Sequence, residues 1–309
     1  MPPVWRMGLI ILACLVLASA ITLWLRRRWP ERDLSELTAR VRAWWVMATV
    51  FFGAVAVSNT LSLVFFALMS FWALKEYVTL LRTRPADHGA LVLTFLTIPV
   101  QYYWIATGWF GMFIVFIPVW VFLLLPLRLV MAKEPEGLTA SAGTILWGLM
   151  AFGFGLSHAG YLLQLPSTPG SEANGRTLVL FLVFVVEVSD VMQYVWGKTF
   201  GRRKILPVIS PNKTWEGFIG GVLTTALLSL LVRFLTPFGV WETLGVSLML
   251  CLAGFAGGAV MSAVKRDFGV KDFGDLIPGH GGTLDRVDSL CYAAPVFFHY
   301  LVHYHIKLG

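Results

Sequence analysis

Hydrophobic runs separated by short polar loops make up most of this chain. A helix that crosses a bilayer needs about 20 apolar residues, and ten runs approach or reach that length. They cover residues 7–25, 43–57, 60–74, 90–107, 109–127, 142–165, 177–196, 217–235, 244–264 and 289–305. The second and third runs are short, so we expect them to tilt little or to extend into the flanking polar turns. The pattern predicts an all-α, polytopic integral membrane protein with about ten transmembrane helices.

The composition agrees with this prediction. Of the 309 residues, 57% are hydrophobic and 13% are charged, and the mean hydropathy is +0.75, which is outside the range of soluble domains. The three cysteines lie far apart inside apolar runs, which indicates neither a disulfide framework nor a thiolate metal site. The first run ends in Arg26, Arg27 and Arg28 rather than in small residues, so we interpret it as a retained anchor and not as a signal peptide.

The distribution of positive charge predicts the topology. With both termini external, 20 of the 24 Lys and Arg residues fall on the cytoplasmic side, as the positive-inside rule requires. Topology and anionic head groups also explain the net charge of +7 better than a nucleic-acid partner does. We expect residues 1–176 to form about six spans. Residues 177–309 should form the remaining spans, whose polar loops, 197–216 and 265–288, face the cytoplasm.

One of these polar loops, within residues 262–288, has the composition of a phosphate site. Its cations are of the kind that bind phosphate oxygens, and its carboxylates suit Mg²⁺ that is shared with substrate phosphates. Glycines on both sides of His280 allow the backbone to approach a ligand closely. On composition alone, a solvated connection between two helices is an equal alternative. The arrangement favours a metal-assisted polyphosphate site, because charged residues directly precede an apolar run and the glycines around His280 are costly in conformational entropy unless a ligand needs them. The cations are Lys265, Arg266, Lys271 and Arg286, and the carboxylates include Asp272, Asp275, Asp285 and Asp288.

The earlier polar loop, residues 197–216, follows an apolar run that carries two acidic residues. Asp190 lies near the inner end of the run, and Glu187 precedes it by three residues on nearly the same helix face. Ionisable groups at membrane depth are functional candidates, and the alternative is that both are solvated at the interface. Farther along, Arg202, Arg203 and Lys213 form a basic stretch that would attract anionic lipid.

Together the two loops resemble the phosphatidate cytidylyltransferase (CDP-diacylglycerol synthase) family. The match in the later loop comprises Ser262, Lys265, Arg266, Lys271, Asp272, Pro278, Gly279, His280, Gly281, Gly282, Asp285, Arg286 and Asp288. The match in the earlier loop comprises Asp190, Tyr194, Gly197, Phe200, Gly201, Ser210, Pro211, Lys213, Thr214, Glu216 and Gly217. The resemblance is firm over residues 189–288 and weak over the first half of the chain.

This resemblance implies transfer of CMP from CTP to phosphatidate, giving CDP-diacylglycerol and pyrophosphate in phospholipid biosynthesis. It implies that residues 177–309 are the catalytic region and that the site faces the cytoplasm at a bacterial inner membrane. It implies Mg²⁺ as cofactor, with CTP, phosphatidate and bilayer lipid as partners; a second cation and a homodimer are left open. Asp272 would bind metal or orient a lysine, and His280 would donate to a phosphate oxygen or assist proton transfer. The implied metal ligands are Asp285, Asp288 and Asp190; the implied catalytic residues are Lys265, Arg266, Asp272, His280 and Arg286; the implied substrate-binding residues are Ser210, Lys213, Arg202, Arg203, Ser262 and Lys271.

The chain departs from the family pattern at one carboxylate. Gly258 stands where the family has a metal-binding Asp, Met261 stands where it usually has Glu, and Gln193 replaces a small residue. A degenerate relative that binds lipid or nucleotide without turnover is therefore the alternative function. A transporter is disfavoured because the runs are almost free of charge; we interpret Glu76, beside Lys75, as part of a local ion pair.

Overall fold

The structure, a computed structural model, describes residues 1–29, 31, 33–167, 170–274 and 281–306. Hydrocarbon offers no partner for peptide groups, so a chain this apolar satisfies its backbone hydrogen bonds within helices. Among the described residues, nine helices are long and apolar enough to cross a membrane. The prediction of an all-α polytopic membrane protein is confirmed. The expected external location of both termini stays a prediction.

The helices follow the apolar runs in order, and a short hairpin interrupts them. In chain order they are α1 (Pro3–Arg28), α2 (Ser35–Val57), α3 (Asn59–Leu80), α4 (His88–Ala106), α5 (Phe110–Val130), α6 (Leu138–Leu162), α7 (Gly175–Phe200), the strands β1 (Lys204–Leu206) and β2 (Ser210–Thr214), then α8 (Trp215–Leu235), α9 (Val240–Asp267), α10 (Leu284–Val287) and α11 (Leu290–Tyr304). Two of them contain a π-helical stretch, Phe116–Val121 in α5 and Leu149–Gly155 in α6.

The two runs that looked short are full-length helices. Helix α2 has 23 residues and α3 has 22, because both continue into the polar turns beside the apolar runs, which is one of the two expected solutions. The last run forms α11, which has only 15 residues. Five of its side chains are fully buried against the other helices, namely Ala293, Ala294, Phe297, Phe298 and Leu301. Thus α11 is a central element of the bundle rather than a lipid-facing one.

Three helices begin at residues whose side chains accept from their first-turn amides. Ser58 Oγ accepts from the Leu61 amide at 3.1 Å before α3. Asn174 Oδ1 accepts from the amides of Arg176 and Thr177 at 3.1 and 3.2 Å before α7. Thr214 Oγ1 accepts from the Gly217 amide at 3.1 Å before α8. These caps satisfy donors that a helix cannot pair internally. The cap by Thr214 joins the earlier polar loop directly to α8.

The earlier polar loop folds into an antiparallel hairpin that was not predicted from the sequence. Strand β1 pairs with β2, with Lys204 opposite Thr214 and Leu206 opposite Ser210. Helices α7 and α8 pack very closely at two glycines. A Cβ on Gly217 would lie 2.8 Å from the Gln193 carbonyl oxygen, and a Cβ on Gly221 would lie 2.6 Å from the Gln193 amide nitrogen. Glycine is needed there because any side chain would force the two backbones apart, and this contact sets where β2 lies.

Candidate active site

The two polar loops meet at one end of the helix bundle. Arg266, at the end of α9, donates from Nε to the carbonyl oxygen of Ile209 in the hairpin loop at 3.3 Å. A Cβ on Gly258 in α9 would lie 3.1 Å from Lys213 Nζ of β2 and 3.3 Å from Ser289 Oγ, just before α11. The two loops therefore converge, and residues 57 positions apart in the chain are in direct contact.

Asp285 anchors the later loop through both carboxylate oxygens. Its Oδ1 forms a 2.8 Å ion pair with Lys265 Nζ, and the two side chains are only 4% and 13% exposed. Its Oδ2 accepts from the amides of Phe273 and Gly282 at 2.9 and 3.0 Å. Lys265 Nζ also lies 5.3 Å from the Phe273 ring centroid. One carboxylate therefore ties together α9, the segment after it and the start of α10.

Two other carboxylates are joined through Ser289. Ser289 Oγ donates to Asp190 Oδ2 at 2.9 Å, and the Ser289 amide donates to Asp288 Oδ1 at 2.6 Å. Among the described residues, no donor pairs with Asp190 Oδ1 or Asp288 Oδ2. This serine holds a carboxylate from α7 beside one that precedes α11 and leaves an oxygen on each for a further ligand.

Lys213 supplies a cation to this pair. Its Nζ lies 4.5 Å from the Phe255 ring centroid. Burial lowers the pKa of the Lys213 ammonium, while the nearby charges of Asp190 and Asp288 act in the opposite direction. For Asp288, burial raises the pKa of the carboxyl and the charge of Lys265 opposes it. The opposite charges of Lys213 and of Asp190 and Asp288 therefore stabilise one another where the two loops meet.

Arg286, on α10, has a buried donor without a partner. Its Nε makes no hydrogen bond to any described residue, although the charges of Arg286 and Asp288 interact. A buried donor left unpaired costs about 1–3 kcal/mol, so such groups call for an explanation, and an unseen ligand is one. A phosphate oxygen would satisfy this guanidinium, which can bind with two parallel hydrogen bonds.

The remaining predicted residues lie around this centre in different ways. Ser262 Oγ donates to the Gly258 carbonyl oxygen of its own helix at 2.6 Å, and Ser210 is half-buried in β2. Asp272 lies in the later loop, with its Cβ 3.3 Å from the Cβ position of Gly281. The other predicted cations, Arg202, Arg203, Arg266 and Lys271, are exposed. His280 and Asp275 lie outside the described residues.

Two carboxylates that the sequence interpretation gave no role in the site help to shape it. The Glu216 carboxylate accepts from the backbone amides of Arg202 and Arg203 at 2.9 and 3.1 Å, and so holds the hairpin against α8. The interpretation of Glu76 as a local ion pair with Lys75 is wrong. Its carboxylate accepts from the amides of Thr283 and Leu284, both at 2.8 Å. No sequence signal pointed to that contact, because it spans more than 200 residues.

The donor set limits what kind of metal site is available. Within the described ranges, no group of three or more His, Cys, Asp or Glu side chains could hold a metal ion alone. Asp190 and Asp288 each keep one oxygen, whereas those of Asp285 are used by protein donors. Mg²⁺ is commonly held by one or two carboxylates together with substrate phosphates. The described residues therefore fit a metal that is bound jointly with a phosphate ligand.

Comparison with known proteins agrees with this geometry. The model of the cytidylyltransferase family matches residues 38–304, which is most of the chain. The chain belongs to the cytidylyltransferase family. The matched range includes α3 with Glu76, so family membership covers both halves of the helix bundle and not only the two polar loops.

Individual relatives refine the family assignment. A protein of Escherichia coli K12 named uncharacterized protein YnbB is 44% identical over 292 residues, covering 94% of this chain and 96% of that protein. Phosphatidate cytidylyltransferases match over 128 residues: that of Staphylococcus aureus strain COL is 44% identical and that of Staphylococcus haemolyticus is 41% identical. The latter matches cover 41% of this chain and 49% of each enzyme. This member of the cytidylyltransferase family thus aligns with about half the length of the named enzymes.

Proposed function

We propose that this chain is a phosphatidate cytidylyltransferase, which transfers CMP from CTP to phosphatidate and releases pyrophosphate. One observation carries the proposal: Lys213 of the hairpin, Arg286 of α10 and the Asp190–Ser289–Asp288 group lie together where the two polar loops meet. The named relatives support the substrate class. The site would lie on the cytoplasmic side of the inner membrane, where CTP is present, and phosphatidate would enter from the bilayer.

The reaction is a displacement at phosphorus. A phosphate oxygen of phosphatidate attacks the α-phosphorus of CTP, and a new P–O bond forms. The bond from that phosphorus to the oxygen bridging to the β-phosphate breaks, so pyrophosphate leaves with the electron pair. Such a reaction needs little covalent help, and positioning with charge neutralisation supplies the rate. Lys213 and Arg286 would bind the phosphates, with Arg286 Nε gaining the acceptor that it lacks.

Asp190 and Asp288 would hold Mg²⁺ through their remaining oxygens. The bound ion would neutralise charge on the transferred and leaving phosphates. Ser289 would keep both carboxylates in place because it donates to one from its side chain and to the other from its amide. Asp285 would act on the loop rather than on the metal, since Lys265 and two amides already occupy its oxygens.

The decisive experiment uses purified protein in detergent with CTP, phosphatidate and MgCl₂. We expect CDP-diacylglycerol and pyrophosphate in equal amounts, with product formation abolished by EDTA and restored by added Mg²⁺. Replacing CTP by ATP or UTP tests the nucleotide. Absence of CDP-lipid, under conditions where a Staphylococcus enzyme turns over, would reject the proposal.

Gly258 supports a second candidate, a family member that binds nucleotide or lipid without turnover. The family's Asp is missing there, and a Cβ would face Lys213 Nζ at 3.1 Å, so the absent carboxylate belonged to this site. The variant Gly258→Asp distinguishes the candidates. A protein that binds CTP without turnover and becomes active in this variant is a decayed enzyme. A wild-type protein that already turns over supports the first candidate.

A further inference from the structure

Glu76 reaches the candidate site from the opposite half of the chain. Near the C-terminal end of α3, its Oε1 accepts from the Thr283 amide and its Oε2 accepts from the Leu284 amide, each at 2.8 Å. Leu284 is the first residue of α10, which carries Asp285 and Arg286. A carboxylate bound to amides at a helix start satisfies donors that the helix leaves unpaired.

The turn before α10 is shaped around this carboxylate. A Cβ on Gly282 would lie 2.7 Å from Glu76 Cδ, and one on Gly274 would lie 3.2 Å from the same atom. Gly281, with φ +79°, adopts a left-handed backbone conformation that glycine tolerates best. Gly282 and Gly274 therefore allow the backbone to approach the Glu76 side chain closely. Gly281 and Gly282, which both belong to the family pattern, each have a structural reason.

Helix α3 holds Glu76 firmly. Its neighbours Ala73 and Leu74 are completely buried, and Tyr77 is 3% exposed. Tyr77 Oη also donates to the Thr144 carbonyl oxygen of α6 at 3.0 Å, and its ring packs at a centroid distance of 5.8 Å on Phe268, just after α9. Glu76 thus projects from a point that is fixed by three helices.

Glu76 and Asp285 together bind three consecutive amides. The Asp285 carboxylate accepts from the Gly282 amide, and the Glu76 carboxylate accepts from the amides of Thr283 and Leu284. The backbone that enters α10 is therefore held by one carboxylate from α10 and one from α3. Asp285 links α10 to Lys265 of α9, and among the described residues Glu76 is the side chain whose hydrogen bonds link the start of α10 to α3. The position of Arg286, and of Asp288 just beyond it, therefore depends on α3.

We propose that Glu76 is a positioning residue for the reaction: it fixes α10 so that Arg286 and Asp288 face the phosphates. The inference rests on the proposed function for its effect on turnover but not for its effect on the loop. Glu76 would not touch substrate. It would act through two amide hydrogen bonds, and its loss would displace α10.

The test compares Glu76→Ala and Glu76→Gln with the matched control Lys75→Gln. Lys75 is exposed on the same turn of α3, and its Nζ lies 5.6 Å from the Trp72 ring centroid. Hydrogen exchange is measured by mass spectrometry on the substrate-free protein, for peptides covering residues 281–290 and 59–74. In parallel, kcat and KM for CTP are measured per folded molecule.

In Glu76→Ala we expect amide exchange in residues 281–290 to accelerate on the order of tenfold or more, because charge-assisted hydrogen bonds are lost. Exchange in residues 59–74 should not change. We expect kcat to fall on the order of 10²-fold, as a displacement of about 1 Å can cause, with a smaller change in KM. Glu76→Gln keeps one acceptor oxygen and should lie between Glu76→Ala and the wild type, and Lys75→Gln should match the wild type.

Unchanged exchange in residues 281–290 together with unchanged kcat in both Glu76 variants would overturn the inference. A lower yield of folded protein with normal kcat per folded molecule would also overturn it, because that result means general stability only. If Glu76→Ala does not fold, Glu76→Gln decides. If wild-type protein makes no CDP-lipid, the proposed function fails, but the exchange measurement still tests whether Glu76 holds α10.

Discussion

Replacing Asp285 by Asn tests whether this residue anchors the loop or binds metal. The carboxylate of Asp285 is paired with Lys265 at 2.8 Å and accepts two amides at 2.9 and 3.0 Å. Asn keeps the shape of the side chain but offers one acceptor oxygen. Its NH₂ group must face either the Lys265 ammonium or the two amides, and each of these is a donor. At least one of the interactions is therefore lost.

The magnitude follows from burial. The Asp285 and Lys265 side chains are 4% and 13% exposed, so solvent replaces little of what is lost. Breaking a buried ion pair by removing one partner costs about 3–5 kcal/mol, because the other charge remains buried. We expect Asp285→Asn to lower the free energy of unfolding by about that amount. Removing both charges in Lys265→Met with Asp285→Asn should cost less than the sum of the single changes, since the two residues are in contact.

The assay is denaturant-induced unfolding in detergent micelles, followed by tryptophan fluorescence, together with Mg²⁺ titration of activity. The matched control is Asp272→Asn, an exposed carboxylate near the same loop, whose effect should stay within about 0.5 kcal/mol. Unfolding of Asp285→Asn at the wild-type denaturant concentration, combined with a large rise in the Mg²⁺ concentration needed for activity, would refute the anchor role. Asp285 would then be a metal ligand.

Three further substitutions probe other parts of the molecule. Lys213→Met removes the cation next to Asp190 and should reduce kcat/KM for CTP by about 10²-fold or more, the scale for losing a preorganised charged group, whereas the exposed Lys198→Gln should leave it unchanged. Arg286→Lys keeps the positive charge but lacks the planar guanidinium that can donate two parallel hydrogen bonds. It should reduce kcat/KM by about tenfold, the equivalent of one hydrogen bond to a charged group. A value of kcat/KM equal to that of the wild type would contradict the proposed phosphate contact. Gly221→Ala should destabilise the protein by about 1–3 kcal/mol through overpacking against α7, while Gly245→Ala, with nothing within 4 Å of its Cβ position, should not.

The helices could be predicted from the sequence because the bilayer imposes one solution on long apolar runs. The errors were at helix ends. Helix α2 begins at Ser35 and α3 ends at Leu80, so both pass through charged residues that hydropathy counts as loop. Long side chains such as Arg42 and Lys75 can extend along apolar surface and keep their charges in water, and this permits a helix to continue past its apolar run.

The residues of the site could be predicted from the sequence, but their contacts with one another could not. Family motifs identified Lys265 and Asp285 and suggested phosphate and metal roles for them, but spacing alone could not show that the two residues pair with each other. The contact of Glu76 with the Leu284 amide was hidden for a different reason. It joins a side chain to backbone amides, which nearly all residue types have, so the residue pattern does not indicate such a contact. The β1–β2 hairpin was missed because its strands have only three and five residues.

The missing carboxylate at position 258 changes the charge balance as well as the ligand count. An Asp there would place its carboxylate next to Lys213, since a Cβ already lies 3.1 Å from Nζ, and the two groups would pair. Glycine leaves the Lys213 ammonium among Asp190, Asp288 and the Phe255 ring of α9, and among the described residues no carboxylate of α9 pairs with it. In the proposed function, that ammonium would bind a phosphate directly. This cation would offset in part the loss of one metal ligand at position 258.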